Sequence, residues 1–235
     1  MDYSFNSKSM LTDVTNYLSF LLSLIEGQDW IKLEDIFLSN PTTFRIISKS
    51  ISDCEEFNGM TLLHACLRYD PPLDVLGKMI ELYPQALAKE DCLGRTPLHV
   101  AAGSGASPLV LKLLTRNYPE ACSVQDEDGR TPLHFACDAT CELFEGDDQA
   151  QASPRGPPSL DTVRVLLSGS LAAVTLEDFD EMNAVEYAII SDAPMEVVKL
   201  LQKASQRVLK MTKMNVSRPT EAVSPMTVMA RIRAC

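Results

Sequence analysis

The stretch that decides the fold is GRTPLHVA at residues 94–101, which returns as GRTPLHFA at residues 129–136. A weaker copy, GMTLLHAC at residues 59–66, precedes them. The glycines that open the three copies are 35 residues apart in both steps (94 − 59 = 35 and 129 − 94 = 35). A constant period of this size indicates structural repeats that stack, each burying a face of its neighbour.

Each copy combines the start of one helix with the signals of a second helix. Thr96 and Thr131 suit the N-cap of a helix, and the proline that follows each fits the first helical position. Farther along, apolar residues four apart, such as Val110 and Leu114, predict the second helix. The Tyr-Pro pair at 118–119 ends it, since proline cannot continue a helix. The sequence therefore predicts an all-α chain of helix-loop-helix repeats.

Both flanks follow the same order of helices with weaker patterns. Residues 11–26 carry an apolar stripe at spacings of three and four, and a second helix is expected soon after Gly27. An acidic and then Pro-rich stretch at 139–159 predicts a surface-loop insertion, and NAVEYA at 183–188 a degenerate fourth unit. The expected organisation is an N-terminal tail at 1–10, a degenerate capping repeat at 11–58, repeats at 59–204, and a C-terminal helix extension with a flexible tail at 205–235.

The repeated motif, with a Leu-Leu pair in the second helix, resembles the ankyrin repeat, whose period of roughly 33 residues is near the 35 of this chain. The resemblance covers about 27–203 and is strongest at 94–136. It implies an ankyrin-type α-solenoid with short hairpin fingers, which binds partners through the finger tips and the exposed side of the first helices. It also implies structural roles for His64, His99 and His134, each bonding to the local Thr hydroxyl and to the following unit.

The composition indicates a folded protein with a protein partner. Hydrophobic residues make up 46% of the chain, which excludes a disordered protein, and the net charge of −11 does not favour a nucleic-acid partner. The seven cysteines show no regular short-spaced framework. Reduced thiols of this kind predict a cytoplasmic location, with the nucleus as the alternative.

The candidate chemical groups all fall within the repeated motif or its turns. His134 with Cys137 and Cys141 could alternatively form a metal site, but structural zinc needs four converging ligands with paired short spacings. A Cys-His nucleophile pair lacks a third group that recurs beside it to orient the base. Gly103 and Gly105 suit a helix turn rather than a phosphate loop. We therefore expect no enzyme activity, no catalytic residue, no metal, no cofactor and no small-molecule substrate.

The finger tips carry the information about partners. They are acidic at 55–58, 90–93, 125–128 and 177–181. Stacked tips predict either a solvated rim of turn-forming Asp or an acidic groove that attracts a basic protein face, with apolar side chains as anchors. The residues expected to bind the partner are Phe57, Asn58, Arg68, Tyr69, Asp91, Leu93, Arg95, Asp126, Glu127, Asp128, Arg130 and Phe179.

The expected function is non-catalytic protein–protein interaction, as an adaptor or a subunit of a larger complex. An alternative comes from the charge distribution: residues 201–235 hold seven Lys and Arg and one Glu (7 − 1 = +6), which leaves −17 for the rest. This polarity predicts a regulatory module whose basic tail contacts a lipid surface, nucleic acid or its own acidic groove. Ser153 and Ser224, each followed by proline, are candidate phosphorylation sites in the two irregular segments.

Overall fold

A computed structural model gives the fold and describes residues 7–52, 58–141, 143 and 156–216. In this part the chain is made of α-helices and short 3₁₀ helices, with an isolated β-bridge between Glu177 and Asn183, so the all-α prediction is confirmed. The α-helices are α1 (Ser7–Glu26), α2 (Trp30–Ser39), α3 (Pro41–Ser52), α4 (Leu62–Leu67), α5 (Leu73–Leu82), α6 (Pro97–Gly103), α7 (Pro108–Asn117), α8 (Pro132–Cys137), α9 (Leu160–Gly169), α10 (Ala184–Ile190) and α11 (Met195–Val216). The 3₁₀ helices are Pro84–Ala88, Pro119–Ser123 and Ala172–Thr175.

The helices pair into units that stack on one another. Each unit has a short first helix (α4, α6, α8 or α10) and a second helix (α5, α7, α9 or α11). First helices pack against first helices and second helices against second helices. The buried interior between them is lined by small and branched apolar side chains such as Ala101, Leu111, Leu133 and Val163. This packing gives the α-solenoid that the period of the sequence predicts.

The first helices begin where the motif places them because threonine and histidine cap the helix together. The Thr96 N–H donates to His99 Nδ1 (3.0 Å), and the Thr96 hydroxyl lies 2.9 Å from the same nitrogen. The same arrangement recurs between Thr61 and His64 and between Thr131 and His134. The side chains thereby satisfy backbone groups that have no partner within the helix.

The N-terminal helices extend beyond the sequence prediction. α1 begins at Ser7, so the expected tail at 1–10 is too long. No glycine or proline interrupts residues 7–26, and the apolar stripe that starts at Leu11 does not mark the first helical residue. After α2, residues 41–52 form the helix α3, and its Phe44 packs on Phe37 of α2 with ring centroids 4.4 Å apart.

The insertion between α8 and α9 lies mostly outside the described residues, but its Leu143 lies against α6. The Leu143 carbonyl accepts a hydrogen bond from Arg95 Nη1 (2.5 Å). The Leu143 side chain lies so close to Gly103 that a Cβ there would be 2.7 Å from it. The predicted flexible tail is outside the described residues from position 217 onwards.

Candidate functional site

An aspartate closes the tip of each of the three fingers at 90–93, 125–128 and 177–181. Asp91 Oδ1 accepts hydrogen bonds from the backbone N–H groups of Leu93 (3.0 Å) and Arg95 (2.9 Å). The corresponding aspartates of the next two fingers, which accept the same pair of bonds, are Asp126 and Asp178. An Asp side chain that bonds backbone N–H groups two and four residues later holds the turn in one conformation. The tips are therefore ordered loops.

Backbone hydrogen bonds also join each finger to the next. The Leu93 carbonyl accepts from the Glu127 N–H (3.0 Å), and the Asp128 carbonyl accepts from the Phe179 N–H (2.9 Å). The Asn58 carbonyl serves the finger at 90–93 in the same way. The tips thus form a continuous row along one edge of the stack.

Asp91 and Arg95 lie inside this row and not on its surface. Each residue is only 6% exposed, and Asp91 Oδ2 accepts bonds from Arg95 Nε (2.8 Å) and Nη2 (2.7 Å). Both side chains are buried because the carboxylate is used to build the turn and to neutralise the guanidinium. Partner binding by Asp91 and Arg95 stays a prediction, and their observed contacts are within the finger.

The next finger shows the same division of roles. Asp126 is 8% exposed, and burial raises the pKa of its carboxyl. Arg130 turns towards the first helices, where its Nη2 donates to Asp138 (2.6 Å) and its guanidinium stacks over the rings of Phe135 and Tyr187. The Asp126 carboxylate is therefore buried and not at the surface, and the Arg130 guanidinium packs between α8 and α10.

Other predicted residues do lie at the surface of the tips. Leu93 is 45% exposed and Phe179 is 77% exposed, and the side chains of Glu127 and Asp128 are exposed between them along the row. Asn58 is exposed at the preceding tip, and Phe57 lies outside the described residues. We refer to Leu93, Glu127, Asp128 and Phe179 together as the tip surface.

Arg68 and Tyr69 lie at the end of α4 and are half-buried. The Arg68 guanidinium is 5.6 Å from the centroid of the Tyr69 ring. Such a pair offers a planar cation and a phenol side by side on the side of the first helices. It adds a second chemistry to the acidic and apolar tip surface.

The motif histidines link neighbouring units. His64, His99 and His134 each place Nδ1 against the backbone N–H of the local Thr, so Nε2 carries the proton and donates to a carbonyl of the following unit at 3.0–3.2 Å. Burial lowers the pKa of His64 to about 4 and that of His99 to about 3, and it also lowers the pKa of His134. The imidazoles are thus neutral. Their Nδ1 takes part in the helix cap, and their Nε2 bonds to the following unit. This confirms the structural role that the resemblance implies.

Comparison with known families agrees with this geometry. Residues 79–136 match the family model described as ankyrin repeats (many copies). Residues 79–136 are ankyrin repeats. Ankyrin repeats generally mediate protein–protein interaction and are typically non-catalytic. No curated protein matches the chain. No helix of the described part is long and apolar enough to cross a membrane.

The last unit caps its first helix α10 with residues other than Thr and His. Asn183 Oδ1 accepts from the Val185 N–H (3.0 Å), and Glu186 accepts from the Asn183 N–H (2.7 Å), so these two residues replace the Thr-His cap. Tyr187 donates its hydroxyl to Asp178 (2.6 Å) and so joins this unit to its own finger. The spacing of Asn and Glu three residues apart is a capping-box signal and was available in the sequence.

Proposed function

We propose that this chain is an adaptor, or a subunit of a larger complex, that binds a protein with a basic face through its tip surface. The observation that carries the proposal is the row of ordered tips on which Leu93 and Phe179 are exposed beside Glu127 and Asp128. Exposed apolar residues beside charged ones resemble the anchors and rim of a protein interface. Arg68 and Tyr69 extend the proposed contact onto the first helices.

Electrostatics supports a basic partner. The chain carries a net charge of −11, and the carboxylates of Glu127, Asp128, Asp180 and Glu181 are exposed at neighbouring tips. A surface of one sign attracts the opposite sign and raises the association rate at low salt. The proposed partner thus offers Lys or Arg together with an apolar patch that covers Phe179. With its reduced thiols, the protein is proposed to work in the cytoplasm or the nucleus.

The test is affinity capture with partner identification, followed by titration of the identified partner. We expect Phe179→Ala to weaken binding at least tenfold, which is typical of a buried interface anchor at about 1.4 kcal/mol or more. Leu109→Ala is the matched control, since Leu109 is 60% exposed but belongs to α7. Equal affinity for Phe179→Ala and the unaltered protein would reject the tip surface as the binding site.

A second candidate function rests on the outer side of α11. Lys199, Lys203, Arg207 and Lys210 are exposed along this helix, and we propose them as the contact for an anionic surface. Co-sedimentation with vesicles that contain phosphatidylserine tests it, with neutral vesicles as the control. Binding that persists after all four residues are changed to Gln would reject this candidate without affecting the tip surface.

A further inference from the structure

The outer face of the last unit exposes residues at positions that every earlier unit buries. Ile189 of α10 occupies the motif position of Ala102 in α6 and Cys137 in α8. Those two side chains are 2% and 0% exposed, whereas Ile189 is 56% exposed. In the same register, Val185 is half-buried, while its counterpart Leu133 is 1% exposed. The face that the next unit would cover is therefore apolar and open in the described structure.

This composition is unusual for the end of a repeat stack. A terminal unit normally turns a polar face to water, because no neighbour covers it. Here a bulky Ile189 replaces the small Ala102 of α6 and Cys137 of α8, and it remains exposed, whereas the equally bulky Leu67 of α4 is buried. We call the surface of α10 that carries Val185 and Ile189 the end face.

We propose that residues 217–235 of the same chain cover the end face. The described structure stops at Val216, at the end of α11, which belongs to the unit that carries this face. The following nineteen residues (235 − 216 = 19) include the apolar positions Met226, Val228, Met229 and Ile232. The segment thus follows directly from the unit that carries the end face, and it has apolar side chains that can pack on an apolar surface.

The length of the segment suits this placement. In the described part, Val208 is the last residue of α11 that packs against the hydrophobic core, so the eight residues that follow it (216 − 208 = 8) carry the chain roughly 12 Å along the helix. Residues 217–225, when extended, span about 30 Å and bring the chain back over that distance. Residues 226–235 then reach the end face.

The charges agree with the same occupant. Glu186 precedes Ile189 by one helical turn, Asp192 follows it in the next turn, and Glu186 and Asp192 are both at least partly open to solvent. The segment contributes Arg231 and Arg233 on either side of Ile232. Pairing of these arginines with the two carboxylates favours this segment as the occupant of the end face.

A double-mutant cycle in the full chain tests the proposal. Ile189→Ser and Ile232→Ser each remove one side of the contact, and we expect each to lower Tm by about 2–4 °C. The double variant should melt close to the single variants, because the second change removes nothing further. Leu109→Ser on α7 is the matched control, with an exposed residue away from the end face.

Hydrogen exchange gives an independent readout of the same contact. Amides of 226–232 should exchange at least tenfold more slowly in the unaltered protein than in Ile189→Ser. Additive Tm shifts, or tail amides that exchange at the unfolded rate in the unaltered protein, would overturn the proposal. So would a dimer in light scattering that Ile189→Ser dissociates while Ile232→Ser leaves it intact, since a second copy would then cover the face.

Discussion

The ankyrin units at 94–138 and the last unit at 178–216 solve the same capping problem in two ways. In the earlier units the Thr-His pair caps the first helix through Nδ1 of the histidine. The other ring nitrogen, Nε2, donates to a backbone carbonyl of the next unit, as His99 does to Arg130 (3.1 Å). In the last unit the side chains of Asn183 and Glu186 form the cap, and the bonds of this cap stay within the unit. The difference shows that the motif histidine serves the junction between units, so its recurrence reflects stacking.

The largest expected consequence is a loss of stability in mild acid. All three histidines have a pKa below the value of about 6.5 expected in the unfolded chain. Protonation therefore favours the unfolded state, and the stability of the junctions is complete above pH ~6.5 and lost as the pH falls towards 4. Each histidine contributes up to roughly 1.4 kcal/mol per pH unit in this window. Urea unfolding at pH 7, 6 and 5 measures the slope.

A histidine variant separates this source from other titrating groups. His99→Gln should be less stable at pH 7, because its junction is lost, but its stability should depend less steeply on pH. An unfolding free energy that stays constant between pH 7 and pH 5 in the unaltered protein would contradict the role given to the three imidazoles.

The second prediction compares a buried and an exposed aspartate in neighbouring fingers. Asp91→Ala leaves Arg95, which is 6% exposed, without its carboxylate and removes two bonds of the turn. We expect a loss of about 3–5 kcal/mol in the free energy of unfolding. Asp128→Ala removes an exposed side chain and should change it by less than about 0.5 kcal/mol. Equal effects measured by urea unfolding would mean that the two carboxylates do not differ as their burial indicates.

The sequence predicts the fold well because the same local signals recur. The capping threonines and the Tyr-Pro stops depend on neighbouring residues, and the 35-residue period shows that these local signals recur in the same order. The start of α1 at Ser7 escaped this reasoning because an apolar stripe reports packing and not the ends of a helix. The contact of Leu143 with Gly103 and Arg95 could not be predicted, since it joins residues 40 and 48 positions apart through tertiary packing (143 − 103 = 40 and 143 − 95 = 48).

The candidate site was only partly predictable for a related reason. Composition marks the tips as acidic, but it does not tell which carboxylate bonds the backbone and which faces water. Asp91 and Asp126 each stand three residues before a glycine, which is a turn signal, and the structure buries both. The exposed residues of the tips are others, such as Glu127 and Phe179, and the residue type at these positions varies from finger to finger.

The third prediction compares two glycines with opposite surroundings. Gly59 has φ of +73°, and a Cβ there would lie 2.5 Å from the Glu90 carbonyl of the next finger. Gly59→Ala should therefore cost about 1–3 kcal/mol from the backbone conformation alone, with the clash added to it. Gly77 lies in α5, where a Cβ would meet no packed neighbour within 4 Å, so Gly77→Ala should add about 0.5–1 kcal/mol. Thermal unfolding of both variants checks the opposite signs.

The smallest effect comes from giving the last unit the histidine of the earlier ones. Glu186→His removes the acceptor of the Asn183 N–H, and the imidazole has no following unit in the described structure to bond. We expect a loss of at most about 1 kcal/mol. Since the Glu186 side chain reaches solvent, the new imidazole should titrate near the ordinary pKa of about 6.5 in an NMR experiment, in contrast to the value of about 3 for His99. A strongly lowered pKa at position 186 would contradict this and would show that the histidine is buried there as it is within the stack.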